Sequence, residues 1–237
     1  MCFWTVNVDL AIIMSKKVSV GEFFIAQLSL HDQQNEHPFM TSKTNAKQAR
    51  SLTTEQKFLF AFNELLSNQS FAATSIQQIA DAAGLQKAAF VKRFGTKRKA
   101  LLGIFENYCD EIIKFIDREK IIIKNKKNGD ISVISSNFEI ILRAHLGANR
   151  AMHELFLEDY ETDRRTKLIF LNATELMLLI QEQIFGKENL NTKKVFTATQ
   201  LLVTLNYHYC IGGMPAFPQD PADRHALISR LILTALE

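Results

Sequence analysis

Apolar residues recur at helical spacing along most of the chain. From Thr53 onward they fall three or four positions apart in successive segments, and glycines or polar turns separate these segments. Nine glycines and four prolines are few for an all-β chain, which needs many turns. No Asn-Gly or Asp-Gly hairpin turn lies between alternating strands. The pattern predicts an all-α protein.

Three helices are predicted in the first part of this pattern. The first begins at Thr53 and the second at Thr74, each with a glutamine three residues later as in a capping box. Gly84 ends the second helix, and the third spans residues 86–93. This spacing predicts a small three-helix domain over residues 40–98.

A larger helical domain is predicted over residues 99–237. It opens with a long helix that Thr96 caps and that runs to about Ile123. Glycines are expected to weaken or end later helices at Gly147 and Gly186. The last helix begins at Asp220-Pro221, because an Asp cap followed by Pro at the first helical position favours a helix start.

Residues 74–94 have the layout of a helix-turn-helix. Ala80 is small enough for two helices to cross there, and Gly84 allows a tight turn four residues later. The polar residues of the second helix of this motif are left facing outward. A helix exposed in this way can enter the major groove of DNA and contact the edges of bases.

The charge of the chain is uneven and points to the same segment. The whole sequence has a net charge of only +3. Between residues 41 and 100, however, ten Lys or Arg face three Asp or Glu, which gives a local net charge of +7. A basic module favours a polyanionic partner such as DNA, although a charged face alone is more often merely solvated.

Residues 1–39 differ from the rest of the chain. Their apolar run from Phe3 to Met14 contains Asp9 and is too short to span a bilayer, and positive charge follows it, where a signal peptide would have positive charge before it. We expect these residues to be a disordered tail or an upstream extension of the reading frame, with Met40 starting the basic arm. The expected location is cytoplasmic, with no membrane partner.

Residues 53–102 resemble the DNA-binding domain of the TetR family of regulators. The matching positions are Thr74-Ser75-Ile76, Ile79-Ala80, Ala82-Ala83-Gly84-Leu85, Lys87, Phe90, Phe94-Gly95-Thr96-Lys97 and Leu101-Leu102. The resemblance implies a homodimer, usually a repressor, that binds a palindromic double-stranded DNA operator. It also implies a C-terminal domain that dimerises and takes up a small-molecule effector, with the fourth helix coupling effector and DNA.

Together the motif and the resemblance predict seven residues for DNA contact. They are Thr74, Gln86, Lys87, Ala88, Lys92, Arg93 and Lys97. The chain departs from the family pattern at Val91, where a tyrosine often reaches a phosphate, and at Ala88 and Ala89, which are commonly Gly and Thr. Arg93 is a candidate substitute contact. These departures leave open an activator, or a decayed family member that binds DNA weakly and acts through a partner or ligand.

The larger helical domain offers candidates for two further roles. An effector pocket is predicted from aromatic and polar residues within apolar helices: Phe105, Phe138, His145, Asn172 and Tyr207. Dimer contacts are predicted on the last two helices at Leu202, Tyr209, Leu227 and Leu231. Core packing within one protomer explains many of these residues equally well.

Catalytic and metal-binding patterns are missing from the sequence. Three cysteines lie far apart without a Cys-x-x-Cys pair, and His153-Glu154 lacks the second histidine of a zinc-protease motif. We therefore expect no enzyme activity, no metal and no cofactor. A helical enzyme or a ligand carrier without DNA binding remains as the second alternative.

Overall fold

The computed structural model describes the backbone of residues 45–126, 129–155, 160–212 and 214–237, and their side chains except those of 45–52, 126 and 160–163. Helices are the only regular elements in these residues, which confirms the all-α prediction. They are α1 (Asn45–Asn68), α2 (Ile76–Ala82), α3 (Lys87–Phe94), α4 (Lys97–Lys126), α5 (Ile131–Ala144), α6 (Leu146–Leu155), α7 (Tyr160–Phe185), a short 3-10 helix (Lys187–Asn189), α8 (Thr192–Gly212) and α9 (Pro221–Leu236). The interpretation of residues 1–39 concerns residues outside these ranges.

The helix-turn-helix forms as the sequence predicts. Gly84 has φ +65°, and its N–H donates to Asp81 O while Leu85 N–H donates to Ala80 O. This pair of bonds is a Schellman motif, which satisfies the last carbonyls of α2 and turns the chain toward α3. Ala80 is fully buried at the crossing. Small side chains at this point let the two helices approach closely.

The first residues of α1 and α2 both differ from the prediction. The cap of α2 is Ser75, whose hydroxyl accepts from Gln78 N–H while the Gln78 side chain accepts from Ser75 N–H. Thr74 therefore lies one position before the cap. Helix α1 begins at Asn45, so Thr53 lies inside it rather than at its start. Spacing alone cannot separate two adjacent hydroxyl residues that each have a glutamine three positions later.

An aromatic cluster fixes α3 to the rest of the small domain. Phe58 of α1 and Phe90 of α3 are fully buried and meet edge to face, with ring centroids 5.3 Å apart. Phe94 adds a further contact at 4.9 Å from Phe90. Edge-to-face contacts between rings favour one mutual orientation. The outward face of α3 is consequently held on a rigid base.

The remaining helices pack around α4 and α8. Helix α4 contacts α5, α6 and α7, and α8 contacts α5, α7 and α9. Among the described residues, one helical segment, Arg164–Phe185 of α7, is long enough and apolar enough to cross a membrane. In this protein 39% of its most apolar stretch is buried. Residues 48–237 form one compact unit.

Helix boundaries in the larger domain follow the prediction except at two places. Asp220 caps α9 by accepting from Ala222 N–H, and Gly186 follows α7 with φ +84°. Helix α4 runs beyond Ile123 to Lys126. Gly147, predicted to weaken a helix, lies in the first turn of α6, because α5 and α6 are separate helices that meet at His145.

Helix α1 is joined to the corner between α5 and α6 through one side-chain amide. The Asn63 Nδ2 donates to Ala144 O at 2.9 Å, and its Oδ1 accepts from Ala148 N–H at 3.0 Å. These two groups belong to the end of α5 and the start of α6, where helical backbone lacks partners. Gly147 lies so close to α1 that a Cβ there would be 2.0 Å from Asn63 O.

A buried charged network connects α5, α8 and α9. Arg224 donates from Nη2 to both carboxylate oxygens of Glu139, at 3.0 and 2.9 Å. His225 Nε2 lies 3.1 Å from Glu139 Oε2, and His225 Nδ1 lies 2.9 Å from the Ser135 hydroxyl. All four residues are buried. The network holds α9 against α5 in one register.

Both titrating members of this network have a lowered pKa. Burial alone would raise the pKa of Glu139, but hydrogen bonds and charges from Arg143 and Arg224 outweigh that effect and lower it. For His225, burial lowers the pKa, the attraction of Glu139 opposes this, and Arg224 and Arg143 add to the lowering. A neutral His225 can donate from Nε2 to Glu139, while its Nδ1 lies 2.9 Å from a Ser135 hydroxyl that is also 3.1 Å from Asn206 Oδ1 on α8.

Acidification is expected to destabilise the fold through His225. Because its folded pKa lies below the ordinary value of 6.5, the folded state binds fewer protons than the unfolded state. Stability is therefore fully present above pH 6.5 and falls as the pH drops toward the folded pKa. Urea unfolding at about pH 7.5 and about pH 5.5 measures this loss. In His225→Gln the loss should be smaller, and an equally steep loss there would contradict the assignment.

Candidate nucleic-acid interface and effector region

Helix α3 presents an exposed polar face opposite its buried aromatic one. Gln86, Lys87, Ala88 and Lys92 are all exposed, whereas Phe90 is fully buried. Gln86 is the residue that precedes the first helical turn and Lys87 begins that turn. These four predicted residues lie where a helix entering the major groove presents its N-terminal end to base edges and its flanks to phosphates.

Arg93 and Lys97 make contacts inside the protein. The Arg93 guanidinium forms an ion pair with Glu55 of α1. The Lys97 ammonium donates to Phe71 O at 2.8 Å and to Thr74 O, and lies 4.5 Å from the centroid of the Phe71 ring. Burial lowers the pKa of Lys97. Both cations are therefore already engaged when no DNA is bound.

Thr74 does not fit its predicted role at a phosphate. It is 1% exposed, its hydroxyl donates to Ser70 O at 2.9 Å, and it accepts from the Gln69 side chain at 3.1 Å. The exposed residue at the start of α2 is Ser75, which sequence spacing missed by one position. Its hydroxyl and the first N–H groups of α2 are the groups that a phosphate could approach there.

Val91 lies on the exposed side of α3 with 45% of its surface accessible. An apolar side chain at this place adds no hydrogen bond to a phosphate. The exposed face therefore contains two lysines and one glutamine, but no tyrosine hydroxyl.

Comparison with known proteins agrees with this geometry. Residues 61–102 match the family model of the bacterial regulatory proteins of the tetR family. This segment is therefore a DNA-binding domain of the TetR type. A transcriptional regulator with a DNA-binding helix-turn-helix is what the sequence pattern indicated. None of the curated proteins matches the sequence.

Two solved structures have a similar fold. One is a protein of Mesorhizobium loti MAFF303099 assigned to the TetR-family transcriptional regulators, with 14% identity and a TM-score of 0.57 over 78% of this chain and 97% of that one. The other is NalD, the secondary repressor of the MexAB-OprM multidrug efflux pump in Pseudomonas aeruginosa, with 16% identity and a TM-score of 0.50 over 78% and 97%. At these identities the likeness shows the fold alone.

The predicted effector residues lie in separate places. Phe138 lines a small apolar cavity of about 10 Å³ between α4, α5, α7 and α8, together with Phe115, Ile169 and Leu202. A cavity of this size holds about one water molecule. Asn172 lies outside it on the seam between α4 and α7, where its Oδ1 accepts from Lys120 Nζ at 2.8 Å.

Two of the other three predicted effector residues, Phe105 and His145, lie beside a tyrosine that the sequence pattern did not single out. Tyr108 lies 5.8 Å from Phe105 and 5.7 Å from His145, measured between ring centroids. The pKa of Tyr108 is raised well above its usual value, first by burial and then by nearby groups that include Tyr207. Burial also raises the pKa of Tyr207 to about 12. This cluster joins aromatic surface to polar atoms, as a ligand site requires.

His145 also reaches the protein surface. Its Nε2 lies 3.0 Å from a carboxylate oxygen of Glu111 on α4, and the residue itself ends α5. Among the described residues, no group of three His, Cys, Asp or Glu side chains is arranged to hold a metal ion.

The four predicted dimer residues differ in how much surface they offer. Leu231 is 38% exposed and Leu227 is partly exposed, both on α9. Leu202 is only 4% exposed and lines the apolar cavity, so it does not fit a dimer contact. Tyr209 is partly buried under the Arg224 guanidinium, 3.8 Å from its ring centroid. Its main contact is therefore between α8 and α9 of one protomer.

Proposed function

We propose that the protein is a dimeric repressor that binds a palindromic DNA operator and leaves it when a small-molecule effector binds the C-terminal domain. The observation that carries the DNA part is the exposed face of α3, where Gln86, Lys87 and Lys92 project from a helix held by buried aromatic rings. A rigid helix with polar and cationic side chains matches the major groove in shape and in charge.

Dimerisation follows from the requirement for two recognition helices. A two-fold operator needs two α3 helices about 34–36 Å apart, one turn of DNA. Helices α8 and α9 pack against each other, and Leu227 and Leu231 leave apolar surface uncovered on α9. A second copy would cover this surface in a self-complementary contact.

Release by an effector requires a connection between the two regions, and α4 supplies one. This helix is continuous from Lys97, next to the helix-turn-helix, to Lys126, and it contributes Phe105 and Tyr108 to the aromatic cluster. An effector that binds better to one spacing of the α3 helices shifts the population toward that spacing. The aromatic rings of Phe105 and Tyr108 beside the imidazole of His145 favour a largely apolar molecule with a hydrogen-bonding group.

A repressor role is better supported than an activator role. NalD, which shares the fold, is described as a repressor of an efflux pump, and repression needs nothing beyond occupancy of the operator. Repressor status and effector release are nonetheless carried over from the family. A cytoplasmic location agrees with a DNA-binding role.

A second candidate is a family member that has lost strong DNA binding and acts through a partner or ligand. The exposed Val91 favours it, because this position on α3 lacks a side chain that can donate to a phosphate. The DNA titration described next distinguishes the two candidates.

Lys87→Ala is expected to weaken operator binding by about 1–3 kcal/mol if the lysine contacts a base edge. We would titrate labelled DNA from upstream of the protein's own gene, with random duplex as competitor, at two salt concentrations. Wild-type affinity should fall as salt rises, because bound phosphates release counterions.

The matched control for this titration is Lys124→Ala. Lys124 is also exposed but lies near the other end of α4. It should bind DNA like the wild type. Equal affinity of the wild type for upstream and random DNA, with no effect of Lys87→Ala, would favour the candidate that has lost DNA binding.

A further inference from the structure

The loop before α2 is closed by a side chain from α4. Its carbonyl groups at Phe71 and Thr74 both accept hydrogen bonds from the Lys97 ammonium. The Phe71 O also accepts from Thr74 N–H at 3.3 Å, and the Lys97 ammonium lies 4.5 Å from the Phe71 ring centroid. One cation thus contacts two carbonyl groups and one aromatic face of the same short loop.

This loop determines where the helix-turn-helix begins. Thr74 is buried and directly precedes Ser75, the cap of α2. The carbonyl group of Thr74 is part of the peptide bond that joins Thr74 to Ser75. A change in the loop would therefore move the first turn of α2, and α3 with it, because α2 and α3 pack together.

We propose that Lys97 acts in DNA binding as a positioning residue, which holds the loop from Phe71 to Thr74 and makes no phosphate contact of its own. Two of the three N–H groups of the ammonium already donate to carbonyl oxygens and the cation lies against the Phe71 ring, so at most one N–H is left for a phosphate. Lys92 differs because it is exposed on α3, and no hydrogen bond or ion pair of its side chain is seen among the described residues. This inference rests on the DNA-binding role but not on the identity of the operator or effector.

The dependence of affinity on salt separates a positioning lysine from a phosphate contact. Each neutralised phosphate contributes about 0.9 to the slope of log K against log salt concentration on duplex DNA. Lys97→Met keeps the apolar stem over Phe71 and removes the donor. It should weaken binding by roughly tenfold at every salt concentration, the order expected for charge-assisted hydrogen bonds, without changing the slope.

The titration uses a duplex that the wild-type protein enriches from a random-sequence library. Lys92→Met is the matched control and should lower the slope by about 0.9, the value for one lost phosphate contact. A similar drop in slope for Lys97→Met, or wild-type affinity for Lys97→Met, would overturn the proposal.

Amide hydrogen exchange of the free protein tests the same proposal without DNA. Lys97→Met should speed exchange in peptides covering residues 71–78, whereas Lys92→Met should leave them as in the wild type. Lys97→Arg, whose guanidinium can still donate to both carbonyls, should restore slow exchange. Unchanged exchange in Lys97→Met would overturn the proposal. If no duplex is enriched, the proposed function fails, and the exchange result still decides the role of Lys97.

Discussion

Arg224→Ala is expected to lower the free energy of unfolding by about 3–5 kcal/mol, the cost of removing one partner of a buried ion pair. Arg224 is 2% exposed, and its guanidinium holds both oxygens of the buried Glu139 carboxylate. Without Arg224, Glu139 becomes an anion away from water that is left with Arg143 and the neutral His225. The loss comes mainly from a buried carboxylate that loses its buried two-oxygen partner and keeps only the half-exposed Arg143.

The same guanidinium also organises the chain before α9. Its Nη1 donates to the Tyr209 hydroxyl at 2.9 Å and to the carbonyls of Pro218 and Gln219 at 3.4 and 3.2 Å. Alanine makes none of these contacts. We therefore expect the entry to α9 to loosen along with the α5–α9 contact, and any dimer formed through α9 to weaken.

Two further variants test whether the loss of stability comes from the buried Glu139–Arg224 pair or from the removal of any arginine that contacts Glu139. Arg143 binds the same carboxylate at 2.6 Å, but its side chain is 48% exposed. Arg143→Ala should cost less than Arg224→Ala, because solvent partly screens a pair whose arginine is about half exposed. The double variant Glu139→Leu/Arg224→Met should recover much of the stability lost in Arg224→Ala, because it removes both charges. Guanidinium denaturation followed by circular dichroism measures all three, and equal losses for the two single variants would contradict the buried-pair assignment.

Features that depend on neighbouring residues were predictable from the sequence. The turn at Gly84, the end of α3 at Gly95 and the capped start of α9 at Asp220 each follow from local backbone preferences. The helix-turn-helix was predictable for the same reason, because one small residue and one turn glycine specify it within a short segment. The outward residues of α3 then follow from helical periodicity.

Features that depend on distant partners were not predictable in the same way. Glu139 and Arg224 are 85 positions apart, and neither stands out within an amphipathic helix. Lys97 matched a family position, yet its contacts with Phe71 and Thr74 appear only once α4 is packed against the loop. Likewise, the burial of Leu202 depends on how four helices meet.

At Gly147 the sequence pattern pointed to a structurally important glycine, but the predicted reason for its importance was wrong. A glycine inside a helical pattern was interpreted as a weak point of the helix, since glycine has a low helix propensity. In the structure it lies in the first turn of α6 and against the backbone of α1. Its small size serves close packing between two helices.

Gly147→Ala is accordingly expected to destabilise the protein by about 1–3 kcal/mol, the usual cost of overpacking. The added Cβ would lie 2.0 Å from Asn63 O and 2.7 Å from Ser67 N, both backbone atoms that cannot move without shifting α1. That shift would also stretch the two hydrogen bonds of the Asn63 amide to α5 and α6. Thermal and chemical unfolding measure the loss.

Gly103→Ala is the matched control, because Gly103 also lies within a helix, but a Cβ there would meet only the Leu59 side chain at 3.8 Å. It should raise stability by about 0.5–1 kcal/mol through helix propensity alone. Opposite signs for these two substitutions would show that Gly147 is required by contact with α1 and not by backbone conformation. Stabilisation by both would contradict the close approach of α6 to α1. Because Phe58 of α1 packs against Phe90 of α3, the destabilised variant should also bind DNA more weakly than Gly103→Ala.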